Sequence, residues 1–194
     1  MDINYVKSLS NPAILKVFLF IFAISFLYHG VHKWYGVYLS QVYGFDKLTI
    51  SFFFILTVVG GMLGQLTGGV LSDKKGRLFT CLTGILGLGF SITLLYGSYP
   101  KFILGLVLLF ISIFWTIGHN GISTVLTDFS DEDRPIMVSL NSSIRFLSGG
   151  LGFALSSFLV AKSFTATFLT IGLLTLLLSF AIKKIVPIDT SREI

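Results

Sequence analysis

The sequence is poor in charge and in cysteine, and it lacks the short motifs of several enzyme classes. Charged residues make up 12% of the 194 positions, whereas soluble domains carry about 25%. The single cysteine, Cys81, excludes an internal disulfide framework, and no Cys and His spacing indicates a zinc site. No G-x-x-x-x-G-K-[ST] run is present to bind a nucleotide phosphate. We therefore expect no metal, no cofactor and no enzymatic activity.

Apolar residues dominate what remains, at 54% of the chain with twenty phenylalanines. Six apolar segments stand out, near 12–39, 46–72, 77–97, 100–127, 135–160 and 164–187. Each is long enough for the roughly 20 residues that cross the hydrocarbon core of a bilayer. The net charge of +5 is scattered among these segments, which does not indicate a nucleic-acid surface. We predict an all-α, multi-pass membrane protein with one domain over residues 1–194, six transmembrane helices and the lipid bilayer as its solvent.

Lysine and arginine predict the orientation of these helices. One set of loops and both termini carry Lys7, Lys74, Lys75, Arg77, Arg134, Lys183, Lys184 and Arg192. The opposite loops carry only Lys33, Lys47, Lys101 and Lys162. Cytoplasmic loops are enriched in positive charge, so both termini are expected in the cytoplasm, with the plasma (inner) membrane as the expected location.

Between the second and third segments lies the stretch Gly69-Val70-Leu71-Ser72-Asp73-Lys74-Lys75-Gly76-Arg77. It resembles the G-x-L-a-D-r-x-G-r-k loop that joins the second and third transmembrane helices of the major facilitator superfamily. Leu78 departs from the pattern, because a second basic residue is usual there. The resemblance implies one six-helix bundle, most like the C-terminal half of a transporter that usually has two such bundles. It further implies transport of a small solute by alternating access.

A single bundle leaves two readings of the assembly open. Two copies form a homodimer that rebuilds the twelve-helix shell, or the chain is a part that needs a different second half. In the superfamily the second helix of one bundle lies against the fifth of the other. The small residues of these two segments are therefore expected at the seam between bundles: Gly60, Gly64, Gly68, Gly149 and Gly152. The alternative is that these glycines pack inside one bundle.

The resemblance also assigns a gating role to the charged cytoplasmic loops. Arg77 would pair with an acid at the end of the fourth segment when the cytoplasmic side is shut. The residues given this role are Gly69, Asp73, Gly76, Arg77, Asp128 and Arg134. The alternative is surface charge that only follows the topology.

Polar residues within the segments indicate the solute site, because charge inside a membrane is costly and usually functional. Arg145 lies about ten residues into the fifth segment, and His119 lies at a similar depth on the fourth. Both helices face the central cavity in the superfamily. No Asp or Glu occupies the middle of a segment, so the cavity is predicted to be basic and to favour an anion. The predicted solute-binding residues are Arg145, His119, Asn120, Asn141, His29, His32 and Trp115.

Some alternatives stay open at this stage. Arg145 would instead brace the glycine-rich helix, and the histidines would couple a proton to transport or only pack. Trp34, Tyr35 and Tyr38 are expected in an aromatic belt at the outer boundary, and Lys33 is expected to snorkel there. Alternative functions are efflux of amphipathic, drug-like compounds and a membrane interaction module that transports nothing.

Overall fold

The computed structural model describes residues 11–128 and 134–186, without the side chains of residues 127 and 128. Its helices are α1 (Pro12–His32), α2 (Tyr35–Gln41), α3 (Lys47–Lys75), α4 (Arg77–Leu94), α5 (Lys101–Asp128), α6 (Arg134–Val160) and α7 (Phe164–Ile185). Helices α1 and α2 together form one span. Across the described residues, six spans are long and apolar enough to cross a membrane, which confirms the predicted membrane helices.

Helix boundaries follow from the residues that begin and end each helix. The side-chain oxygen of Asn11 accepts the backbone N–H of Ala13 at 2.9 Å, and Pro12 stands in the first turn of α1, where a missing N–H costs nothing. Asp46 starts α3 in the same way through the N–H of Thr49. Hydrogen bonds from Thr49 lower the pKa of this exposed carboxyl.

The loop between α3 and α4 is shorter than the sequence predicts. Helix α3 continues through Asp73 to Lys75, and Gly76 alone separates it from α4. Gly76 has a φ of +85°, a value that side chains with a Cβ rarely adopt. One glycine therefore reverses the chain between two membrane spans.

The helices pack in the order α3, α5, α4, α7, α1 and α6, each mainly against its neighbours in that series. Smaller contacts also join α5 to α6 and to α1. Helices α1, α4 and α6 run in one direction, and α3, α5 and α7 run back. We call the end that holds Asn11, Gly76 and Val186 the inner end, and the opposite end the outer end.

The prediction that glycines form a seam between bundles is wrong, because their open side is already covered within this bundle. Gly60, Gly64 and Gly68 face α5: a Cβ on Gly60 would lie 2.6 Å from the carbonyl oxygen of Leu109. A Cβ on Gly64 would overlap Thr116 and the backbone of Ile113. The four-residue spacing keeps one face of α3 bare, and α5 approaches along its length.

The glycines of α6 face α1 in the same manner. A Cβ on Gly149 would lie 2.7 Å from Cδ2 of His29, and one on Gly152 would overlap the backbone of Phe26. The small residues thus serve packing inside the bundle, the alternative that the sequence left open. What α3 and α6 expose instead is apolar: Leu66 is 70% exposed and Phe146 is 84% exposed.

The predicted aromatic belt is also wrong for Tyr35 and Tyr38, which are 1% and 2% exposed. Helix α2 packs its rings inwards, and Tyr38 lies against Phe164 and Phe168 of α7. The Tyr38 hydroxyl donates to the carbonyl oxygen of Leu95 at 3.3 Å. Tyr38 tolerates burial because its hydroxyl has this hydrogen-bond acceptor.

Candidate functional site

Arg145 and His119 meet halfway along the bundle, as their similar predicted depth implies. Nη1 of Arg145 donates to Nε2 of His119 at 2.5 Å, which joins α6 to α5. Because an arginine has only donors, His119 accepts here as a neutral ring with its proton on Nδ1. Both helices run unbroken through this level, so the two side chains are held on rigid elements.

Two further polar residues extend this contact towards the inner end. The hydroxyl of Ser123, one turn along α5, lies 3.0 Å from Nε2 of His119. Nδ2 of Asn141 on α6 donates to the same hydroxyl at 3.3 Å. Arg145, His119, Ser123 and Asn141 therefore form one chain of hydrogen bonds, which we call the polar bridge.

Aromatic rings form a platform beside the polar bridge. Tyr28 of α1 stacks on Trp115 of α5, with ring centroids 4.0 Å apart and planes 2° from parallel. The guanidinium of Arg145 lies 5.5 Å from the Trp115 ring, within the range of a cation–π contact. His29 meets the same ring edge-on at 5.9 Å. Trp115 thus joins the predicted site through its ring face.

The site contains polar atoms that are buried and have no hydrogen-bond partner among the described residues. They include Nε of Arg145, Oδ1 of Asn141, and Nδ1 of both His29 and His32. Most buried polar groups in proteins are paired, so a cluster of unpaired ones is typical of a binding site. His32 lies one turn further out than His29 and packs between Tyr28 and Tyr35.

A groove of about 340 Å³ opens on the flank of the bundle next to Arg145. Its walls come from α6 and from the outer part of the first span. The lining residues are His29, Lys33, Ser142, Arg145, Phe146, Gly149, Gly150 and Phe153. Apart from Lys33, Arg145, Ser142 and His29, the lining is apolar or aromatic. The groove suits a small anion with an apolar body.

Asn120 does not join this site, although the sequence placed it there. Its Nδ2 donates to the backbone carbonyl of Gln65 on α3 at 2.9 Å. Asn120 follows His119 on the helix, so its side chain leaves from the face that packs against α3 rather than α6. The prediction was wrong because adjacent helical positions point about 100° apart.

The predicted gating residues are placed only in part. Arg77 is half-buried at the start of α4, and its Nη1 donates to the hydroxyl of Ser72 at 3.4 Å. Asp73 lies in the last turn of α3, Gly69 lies one turn earlier, and Arg134 begins α6. Asp128 ends α5, but its side chain lies outside the described residues. The latch stays a prediction.

Tyr28, Ser123 and Lys33 are the residues that the predicted site set missed. Tyr28 shares one helical face with Ser25, His29 and His32, so its spacing could have included it. Ser123 stands four residues after His119 and could have been found in the same way. Lys33 was assigned to the membrane boundary, and only the structure shows that it lines the groove.

Comparison with known proteins points to one family. Residues 13–193 match the family described as Major Facilitator Superfamily. The cis,cis-muconate transport protein of Acinetobacter baylyi is 27% identical over 106 residues. That stretch covers 54% of this chain and 25% of the relative, so the match spans a quarter of the relative's length.

Proposed function

This chain belongs to the Major Facilitator Superfamily, and on that premise we propose that it carries a small organic anion across a membrane by alternating access. The observation that carries the proposal is the contact of Arg145 with His119 midway along the bundle, beside an open groove. The residues proposed to bind the solute are Arg145, His119, Asn141, His29, His32 and Trp115.

The charge balance of the spans supports an anion as the solute. Arg145 is half-buried, and its partners among the described residues are a neutral histidine and an aromatic face. The acids whose side chains are described, Asp46 and Asp73, stand at the two ends of α3, and Asp128 is the last residue of α5. A dehydrated arginine without a carboxylate favours binding an anion, and the guanidinium suits a carboxylate or phosphate. The name of the Acinetobacter relative, which gives muconate as its cargo, agrees with a carboxylate.

We further propose that a second bundle covers the flank that carries the groove. In a bilayer, an open groove with Arg145 and Ser142 in its lining would face hydrocarbon, which is costly for polar groups. A second copy related by an axis along the membrane normal would bring its own α3 and α6 against this flank. A homodimer is therefore favoured, with a different second half as the alternative. Rocking of the two bundles would open the site to each side, with the predicted latch at the inner end.

Uptake by the purified full chain in proteoliposomes tests the transport proposal. We expect labelled cis,cis-muconate to accumulate, and Arg145→Gln to reduce its uptake and binding by about tenfold or more, because one charge-assisted hydrogen-bond partner is lost. Ser143→Ala is the matched control, since this exposed serine on α6 donates to the carbonyl of Ser139 within its own helix and does not line the groove. Unchanged uptake by Arg145→Gln would refute the site.

Cross-linking tests the homodimer separately. In a background with Cys81→Ser, cysteines at Met62 and Leu147 stand on exposed faces of α3 and α6, midway along both helices. We expect oxidant to link them between copies. Cysteines at Met62 and Leu177 are the control pair, because Leu177 is equally exposed but lies on α7. If the two pairs link to the same extent, the proposed arrangement of copies is wrong.

A further inference from the structure

The groove carries a second cation, Lys33, which the polar bridge does not use. Lys33 stands at the end of α1, is exposed, and lines the groove from the wall opposite Arg145. Within residues 11–126 and 134–186, no hydrogen bond or ion pair of its ammonium group is found. The two cations therefore face one space from two helices.

The register of α1 against α6 fixes the spacing of these cations. His29 lies opposite Gly149, and the two helices run in the same direction. Lys33 is four residues beyond His29 towards the outer end, and Arg145 is four residues before Gly149 towards the inner end. At about 1.5 Å per residue, their α-carbons stand roughly 12 Å apart along the bundle.

This spacing suits a solute with two anionic ends. Each cation offers a charge-assisted contact to one acidic group, so a solute with an acidic group at each end can meet both. The groove between the cations is lined by Phe146, Gly149, Gly150 and Phe153, which suits an apolar or unsaturated middle.

We propose that the groove binds a dicarboxylate along the seam of α1 and α6, with one carboxylate on Arg145 and the other on Lys33. This inference rests on the proposed function and narrows its substrate class from small organic anions to dianions. Lys33 is then the residue that sets the preference for two charges over one. Arg145 provides the common anchor for either kind of acid.

The test compares two acids that differ only at one end. The trans,trans-hexadienedioate dianion carries two carboxylates, whereas in trans,trans-hexadienoate a methyl group replaces one of them. Their dissociation constants are measured by equilibrium dialysis with the full chain in lipid nanodiscs. We expect the dianion to bind about tenfold more tightly, since one charge-assisted contact contributes at least that factor.

Variants of Lys33 connect this preference to one side chain. Lys33→Gln is expected to weaken binding of the dianion about tenfold and to leave binding of the monoanion unchanged. Lys33→Arg, which keeps the charge, is expected to keep the preference for the dianion. Lys162→Gln is the control, because Lys162 is exposed at the same end but does not line the groove.

The outcomes separate this inference from the function on which it rests. If both acids bind equally, or if Lys33→Gln keeps the preference, Lys33 only snorkels and the dicarboxylate inference is wrong, while anion binding stands. If the wild-type chain binds neither acid, the proposed function fails and the inference fails with it.

Discussion

Helices α3 and α6 stand at the two ends of the packing series and use their small residues for different purposes. On α3, the face formed by Gly60, Gly64 and Gly68 packs against α5, which leaves no space between the two helices. On α6, Gly149 and Gly152 let α1 approach, but Gly149 and Gly150 also line the groove beside Arg145. The same residue type thus closes one seam and leaves space in the other.

The difference lies in what stands next to each glycine. The neighbours of Gly60 and Gly64 on α5 are backbone atoms and the side chains of Leu109, Ser112 and Thr116, which fill the space completely. The neighbour of Gly149 is the ring of His29, and Gly150 beside it meets nothing within 4 Å. A glycine pattern therefore indicates close approach, while the partner decides whether a cavity remains.

The largest effect on stability is expected where α3 and α5 pack most closely. Gly64→Leu would drive a side chain into Thr116 and Ile113, and overpacking of this kind costs about 3 kcal/mol at its upper range. Unfolding in sodium dodecyl sulfate, followed by circular dichroism, measures the loss. Gly69→Leu is the matched control, since Gly69 meets nothing within 4 Å. Equal losses of stability in the two variants would contradict close packing of the α3 glycines against α5.

An intermediate effect is expected at the groove, and it should appear in binding rather than in stability. Gly149→Ala would push the His29 ring out of place, which we expect to weaken anion binding by about tenfold. Gly61→Ala is the matched control, because a Cβ there would have an ordinary contact with Cγ2 of Thr116 at 3.8 Å and Gly61 does not line the groove. Dialysis with labelled muconate measures both variants. If Gly61→Ala weakens binding as much as Gly149→Ala, the ring position of His29 is not what matters.

The smallest effect tests where Asn120 belongs. Asn120→Ala removes one hydrogen bond between α5 and α3, which costs about 0.6 kcal/mol for an average interhelical bond in a membrane. Anion affinity should not change, whereas His119→Ala should reduce it. The same two measurements, unfolding and dialysis, distinguish these residues. Loss of affinity in Asn120→Ala would return this amide to the solute site.

Much of the fold follows from the sequence because apolar length and helix caps are local properties. The six spans, the start of α1 at Pro12 and the break before Lys101 needed no knowledge of neighbours. The depth of Arg145 and His119 could also be counted along each helix. Which neighbouring helix covers a given face could not be predicted from the sequence, because a glycine face without side chains fits any closely packed helix. The glycine seam, Asn120 and the tyrosines of α2 were misplaced for that reason.

The outer end of α1 holds a contact whose consequence reaches the groove. The indole N–H of Trp34 donates to the hydroxyl of Ser156 at 2.9 Å, so α1 and α6 are tied above the groove as well as pressed together at Gly152. Because α1 and α6 contact each other at these two levels, we expect them to move as one rigid unit. In the proposed two-bundle arrangement, a solute would therefore reach Arg145 from the side, when the second bundle moves away, because α1 and α6 do not separate.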